Sequence, residues 1–345
     1  MADRTQKPGM QHETTGLRVS VIVPVYNAMA YIARSLPPLI ELLRNNEILE
    51  VIVVDDSSTD ETSQVAAQMG AQVIPSGGRL GPGGARNCGA NVAGGDVLWF
   101  VDADVVVEKD AAHTLMTGFS EPGVVAVFGS YDDRPPAQNF LSQYKNLVHH
   151  YYHHRTRREA STFWSGCGAV QKEAFIQVGG FNIELFKQPS VEDIELGYRL
   201  RDAGGRILLL PDLRATHLKE WRLLNLLHTE IFCRAIPWAR LMLTRTGLHN
   251  DLNVTYEERV RAGLAGLLVI VLVCALLGHV PWWIPFGVGV VFSVANRQLF
   301  AFFYRRKGFL FALRATLFHQ LYYLYSSAAF AWSWIEIRIL RLHRR

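Results

Sequence analysis

Phe100-Val101-Asp102-Ala103-Asp104 is an apolar run that ends abruptly in two carboxylates one residue apart. Ligands of open α/β sheets gather at the carboxyl ends of strands, and carboxylates placed there suit a hard divalent cation such as Mg²⁺ or Mn²⁺. Such an ion would neutralise a diphosphate and make it a better leaving group. The same pair is also what an acidic strand-to-helix turn looks like. A second acidic strand end stands upstream, in Val53-Val54-Asp55-Asp56-Ser57-Ser58-Thr59-Asp60, where carboxylates could accept hydrogen bonds from the imide of a uracil ring or a ribose hydroxyl. Between the two lies Gly81-Pro82-Gly83-Gly84-Ala85-Arg86-Asn87, a glycine-rich helix start that lets backbone approach a nucleotide and offers the Arg86 guanidinium to phosphate. No Gly-Lys-Ser/Thr closes it, so it is not a Walker loop.

These residues need a parallel sheet to bring them together. From Val19 to Leu210, short β-branched runs alternate with helical patterns, the signature of such a sheet covered by helices. Strands are expected at Val19–Pro24, Val51–Asp55, Gln72–Pro75, Val97–Val101, Val124–Phe128 and Ile207–Leu210, with helices over Ala30–Arg44, Asp60–Met69 and Gly84–Ala93. Thr59-Asp60-Glu61 caps the second helix in this reading, and Pro37-Pro38 should bend or restart the first. Glu192-Asp193 opens a further helix, with Ile194, Tyr198 and Arg201 on one face and Leu196 and Leu200 on another. His149/His153 and His150/His154 stand at i,i+4 on a helix, a spacing that could hold a transition metal, but no neighbouring carboxylate completes a site. They read better as a polar, aromatic helix face near an acceptor channel or a membrane surface.

The chain resembles the family 2 glycosyltransferases over about residues 17–220. The resemblance rests on Val21-Ile22-Val23-Pro24-Val25-Tyr26-Asn27, Asp55 to Asp60, Gly81-Pro82…Ala85-Arg86-Asn87, Asp102-Ala103-Asp104 and Glu192-Asp193, in that order. It implies a GT-A fold, an α/β Rossmann-like and mostly parallel sheet flanked by helices, with a nucleotide-diphosphate sugar donor, usually a UDP-sugar, a divalent metal and inversion at the anomeric carbon. By motif position Pro24, Tyr26, Asp55, Asp56 and Arg86 would line the nucleotide pocket, and Asp102 and Asp104 the metal-diphosphate site, with His217 completing it. Ser165-Gly166-Cys167-Gly168 resembles the family's glycine loop under the donor sugar. Arg234-Ala235-Ile236-Pro237-Trp238 is similar to the Q/R-x-x-R-W segment of membrane-bound members, with Pro237 in place of the second Arg. That departure weakens a reading as a processive polymer synthase and leaves Arg234 and Trp238 at the pocket mouth. The general base falls on Asp193, with Glu192 beside it.

Beyond residue 258 the composition changes. Residues 1–258 hold 24 basic and 30 acidic side chains, whereas residues 259–345 hold 11 basic and one acidic, within a 345-residue chain of net charge +4. No Asp, Glu, Lys or Arg occurs from Ala262 to Asn296, a run longer than the roughly 20 apolar residues that cross a bilayer. Basic residues flank the apolar runs, where anionic headgroups explain them better than nucleic acid does. The expected organisation is a flexible tail (1–16) without the apolar stretch of a signal peptide, a catalytic domain (17–218), interfacial helices and linker (219–258) and a membrane domain (259–345). The last comprises a hairpin over about 262–303 and a third apolar helix over about 309–335. Four scattered cysteines form no CxxC pair, which fits a reduced cytosolic domain. The combined expectation is a metal-dependent (Mg²⁺ or Mn²⁺) hexosyltransferase of the cytoplasmic membrane, multi-pass, its catalytic domain cytosolic and its acceptor a hydroxyl of a lipid or lipid-linked molecule. A polyprenyl-phosphate glycosyltransferase and a membrane scaffold with a decayed transferase fold are the rival readings.

Overall fold

The computed structural model describes residues 16–186, 188–246 and 254–340, so nearly all of the expected N-terminal tail lies outside the described residues. The strands are β1 (Val19–Val25), β2 (Glu50–Asp55), β3 (Gln72–Pro75), β4 (Val97–Val101), β5 (Val105–Val107), β6 (Val124–Tyr131), β7 (Glu159–Ala160), β8 (Cys167–Gln171) and β9 (Arg206–His217). They form one sheet in the order β3-β2-β1-β4-β8-β6-β9-β5, with β7 pairing β9. The first four run parallel; β8 is antiparallel to β4 and β6, and β9 returns parallel to β6. The parallel strands match the expected ones to within a residue or two.

The period of two explains the layers. Val21, Val23, Val53, Trp99 and Val101 point into one core, and Ile22, Ile52, Val54, Leu98 and Phe100 into the other. Because both faces are covered, the strands read as continuous apolar runs, and all five residues of β4 are buried. On the first face lie α1 (Met29–Arg44), α2 (Thr62–Gln68) and, against β6 and β9, α4 (Ala111–Phe119). On the second lie α3 (Gly81–Val92), α6 (Lys172–Gln177) and α7 (Glu192–Asp202), while α5 (Phe140–His153) links the sheet to the C-terminal helices.

Some boundaries differ from expectation for local reasons. Helix α1 runs unbroken through Pro37-Pro38, its buried Ile32, Leu36, Leu39 and Ile40 holding it on the sheet despite two missing N–H donors. Helix α2 starts at Thr62, and Asp60 stands outside it, accepting from the Thr62 N–H at 3.1 Å. Helix α3 starts three residues early, with Pro82 in its first turn, where a missing N–H costs nothing.

After β9 the chain runs through α8 (Leu223–His228), a π-helical segment (Thr229–Ala235), α9 (Ile236–Leu241) and a second π-helical segment (Met242–Thr246). The stretch in which interfacial helices are expected is thus a succession of short α- and π-helical segments. Then come α10 (Tyr256–Leu276), α11 (Trp283–Ala295), α12 (Arg297–Lys307) and α13 (Phe309–Arg338). Among the described residues only α10 is by itself long and apolar enough to cross a membrane, and α11 with α12 would make a second span only across a 67° bend. The second half of the expected 262–303 hairpin is thus broken at Asn296, whose side chain is buried and bonded to the Phe292 carbonyl and the Tyr323 hydroxyl. The multi-pass expectation reduces to one candidate span. Exposed Leu276, Leu277, Trp282, Trp283 and Phe286 crowd the tip of the hairpin.

Candidate active site

The carboxyl edge of the parallel strands gathers most of the residues singled out above. Asp102 follows β4 directly, and its N–H donates to the Gly166 carbonyl at 3.1 Å, fixing it beside the Ser165-Gly166 turn. That turn ends sooner than expected, because Cys167 and Gly168 already belong to β8. Gly166 has no room for a side chain: a Cβ would stand 2.5 Å from the Trp164 indole. Asp104 lies between β4 and β5, where its carbonyl accepts from the Leu218 N–H and its Oδ2 stands 3.4 Å from the Nε2 of His217, the last residue of β9. Pairing of β5 with β9 thus brings together residues 113 apart in sequence.

Asp104 and His217 offer oxygen and imidazole nitrogen to one point, a donor pair that suits Mg²⁺ or Mn²⁺. Asp102 does not complete a triad with them. Its Oδ1 takes the Arg86 guanidinium at 2.5 Å, and among the described residues no three His, Cys, Asp or Glu converge on a metal position. Burial raises the Asp102 pKa, Arg86 opposes the rise and the neighbouring Asp104 charge adds to it. Burial pushes Asp104 the same way, but its hydrogen bond and charge interaction with His217 prevail and lower it. The fit to a divalent cation therefore rests on Asp104 and His217, with Asp102 within electrostatic reach of them.

Arg86 departs further from expectation. Instead of facing an open phosphate pocket it is 3% exposed, its guanidinium clamped between Asp102 and Glu192, whose Oε1 is 3.4 Å away, and 5.4 Å from the Phe181 ring. Burial and the adjacent Asp193 raise the Glu192 pKa against the pull of Arg86. Removing one member of a buried charge cluster leaves the others uncompensated, typically at about 3–5 kcal/mol. Arg86→Gln is accordingly expected to lower stability by about that amount in denaturant unfolding, whereas a purely phosphate-binding Arg86 would leave the unfolding midpoint unchanged.

Asp193, one residue into α7, is more open than Glu192. Its Oδ2 accepts from the Ser165 N–H at 3.1 Å and hydroxyl at 3.3 Å, and its Oδ1 from the Ile194 N–H at 2.8 Å. Helix α7 is pressed against the loop between β7 and β8 at Gly197, where a Cβ would meet the Phe163 backbone nitrogen and, at 2.7 Å, the Thr162 backbone. Pro237 leaves the Cys233 carbonyl without its helical N–H donor. The Ser190 hydroxyl donates to that carbonyl at 3.0 Å, tying the approach to α7 onto the π-helical segment. Trp238 packs with Val191 and Tyr198 and donates from its indole to the Tyr198 hydroxyl at 3.2 Å, so it braces α7 rather than standing free at a mouth. Arg234 is half-exposed and paired with buried Glu230 at 2.9 Å, which also holds Lys145 at 2.7 Å.

On the nucleotide side, Pro24 sits in β1 opposite Val54, and Asp55 folds the following turn by accepting from the Ser58 N–H at 3.0 Å. Asp56 is 4% exposed and filled by the N–H groups of Leu80 (2.7 Å) and Gly81 (2.9 Å) and the Ser76 hydroxyl (2.9 Å). It therefore organises the 76–81 loop instead of presenting a free carboxylate. Exposed Tyr26 has the Arg79 guanidinium 3.1 Å from its ring centroid, a pair at the open end of β1 in which Arg79 was not anticipated. Sequence reading also missed the aromatic wall behind Asp104. Tyr131 stacks on His217 at 4.5 Å and meets His149 at 4.3 Å and Trp164 at 4.8 Å. Burial, reinforced by His153, holds His149 well below the usual imidazole range, so His149 serves as neutral ring surface.

Known proteins fit this arrangement. Residues 20–179 match the family described as glycosyl transferase family 2, and residues 145–221 the one described as N-terminal domain of galactosyltransferase. The pre-mycofactocin glycosyltransferase of Mycobacterium tuberculosis is 29% identical over 219 residues, covering 59% of this chain and 44% of that protein. The probable glycosyltransferase YdaM of Bacillus subtilis is 26% identical over 56% of this chain and 49% of its own length. The chain thus spans less than half the length of these curated relatives. Among solved structures, the mannosyltransferase PcManGT from Pyrobaculum calidifontis, in complex with GDP-Man and Mn²⁺, superposes with a TM-score of 0.62 at 20% identity. That match covers 92% of this chain and 88% of the other, and it shows that the fold is shared.

Proposed function

We propose that this protein, whose residues 20–179 match glycosyl transferase family 2, moves a sugar from a nucleotide-diphosphate sugar to a lipid or lipid-linked hydroxyl. The observation that carries this reading is that the Ser165-Gly166 turn bonds both Asp193 and the Asp102 N–H, two residues before the Asp104 carboxylate that faces His217. Both charge-handling tasks of a displacement at an anomeric carbon then have side chains at one sheet edge. Asp104 and His217 would hold Mg²⁺ or Mn²⁺, with Asp102 within electrostatic reach, and the bound ion would supply charge neutralisation for the leaving diphosphate. Asp193 takes the acceptor proton as the acceptor oxygen bonds to the anomeric carbon and the bond to the diphosphate oxygen breaks. The configuration inverts because the two groups act from opposite sides. Ser165 holds the Asp193 carboxylate in place through two hydrogen bonds. Arg86 keeps Glu192 and Asp102 paired, which leaves Asp193 as the acidic partner open to the acceptor.

The donor is a UDP-sugar on the family resemblance. PcManGT was solved with GDP-Man, so GDP-sugars belong in the same test. The lipid acceptor is supported by the exposed apolar α10, by the exposed Trp282 and Trp283 beyond it, and by the packing of α9 onto α7 through Trp238. Incubating the full chain with labelled UDP- and GDP-sugars and a total membrane lipid extract is expected to move label into the organic phase. Label that appears only in free sugar or in water-soluble glycosides would overturn the lipid acceptor while leaving the transferase assignment standing.

A further inference from the structure

A cavity of about 270 Å³ opens on the far side of the Tyr131 layer, where α5, β6 and β9 meet the end of α12. Arg134, Arg214 and Arg306 line it, and Lys307 joins them where it widens into a neighbouring space of about 430 Å³. Four cations therefore share this opening with two carboxylates, Asp132 and Asp133. The carboxylates are already occupied. Asp132 is 5% exposed and accepts from the Thr216 hydroxyl and the Arg134 N–H, and Asp133 pairs with Arg306 and, at 3.9 Å, with Arg134. Arg214 reaches Asp212 at 3.0 Å through one terminal nitrogen, yet its Nε is buried without a partner. His154 Nε2 is likewise buried and unpartnered. Lys307 has no ion-pair partner among the described residues.

Two orphaned buried nitrogens beside a cationic surplus are costly unless an acceptor-rich ligand meets them. We propose that this cavity binds a phosphate group, either the headgroup of an anionic lipid or a free phosphate ester. The Arg214 fork supplies donors, His154 adds one when its proton sits on Nε2, and Arg306 and Lys307 supply charge. The position fits both sources: Arg306 and Lys307 end α12, the helix that follows apolar α11, where basic residues flanking apolar helices meet anionic headgroups, while the cavity is also open to water. The site is separate from the carboxylate edge. Tyr131 divides them, its ring stacked on His217 on one side and its carbonyl 2.8 Å from His150 Nδ1 on the other. Nothing in this inference depends on the transferase reading.

The test uses the purified full chain with two probes. Inorganic phosphate is titrated by calorimetry in a zwitterionic detergent, and lipid retention is read by native mass spectrometry after reconstitution in mixed phosphatidylglycerol and phosphatidylcholine. Selective retention of phosphatidylglycerol identifies the lipid source, and saturable phosphate binding without lipid preference identifies the free ester. In either case the Arg214→Gln, Arg306→Gln double variant is expected to bind at least about tenfold more weakly. Arg214→Lys preserves the charge but not the fork, so it tests the geometry in a variant less exposed to misfolding, and its binding is expected to fall between the two. Binding by wild type that both variants retain, or no binding of either probe by wild type, would overturn the proposal.

Discussion

Asp193→Asn is expected to lower glycosyl transfer by about 10²–10⁴-fold, the usual contribution of a positioned general base. Asparagine keeps an oxygen that can accept from Ser165 or from the Ile194 N–H, so the start of α7 should survive. Binding of the nucleotide-sugar should also survive, because the loss is confined to proton removal. A role limited to holding the helix start would give the opposite pattern, with lower stability and nearly unchanged turnover. Turnover and melting temperature measured on the same preparation separate the two. Near-normal transfer by a folded Asp193→Asn protein would refute the assignment and turn attention to Glu192, whose burial and pairing with Arg86 make it the less accessible base.

Asp104→Asn is expected to lower turnover at least about 100-fold, since a bound divalent ion supplies several kcal/mol of stabilisation to a developing charge. It should also raise the Mn²⁺ concentration that gives half-maximal activity. The effect should exceed that of Asp102→Asn on metal affinity, because Asp104 already faces His217 whereas Asp102 is held by Arg86. His217→Ala should shift the same metal dependence in the same direction. Equal metal dependence in wild type and Asp104→Asn, read from activity against Mn²⁺ concentration, would remove the ion from this position.

The parallel half of the sheet was legible because doubly covered strands leave a simple trace, uninterrupted apolar runs such as Val51–Val54 and Val97–Val101 that end in carboxylates. The antiparallel half was not. Strand β8 begins at Cys167 and Gly168, residues that read as a loop, and β5 is three valines too short to show a period. The acidic motifs after β2 and β4 fall at the carboxyl ends of their strands, but single-sequence spacing could not say which carboxylates the fold consumes. Asp56 is taken by a loop 20 to 25 residues away, and Arg86 by two acids that lie 16 and 106 residues distant. The break at Asn296 was hidden for a related reason, since its polar side chain is satisfied by Tyr323 on another helix.

The most direct measurement is nucleoside diphosphate release by the full chain across a panel of UDP- and GDP-sugars, with Mn²⁺ and with a chelator. One donor is expected to give release that requires the metal, rises with added acceptor lipid and collapses in Asp104→Asn. Failure to release nucleoside diphosphate from any donor, by a folded protein with metal and acceptor lipid present, would contradict the assignment of this sheet edge to glycosyl transfer.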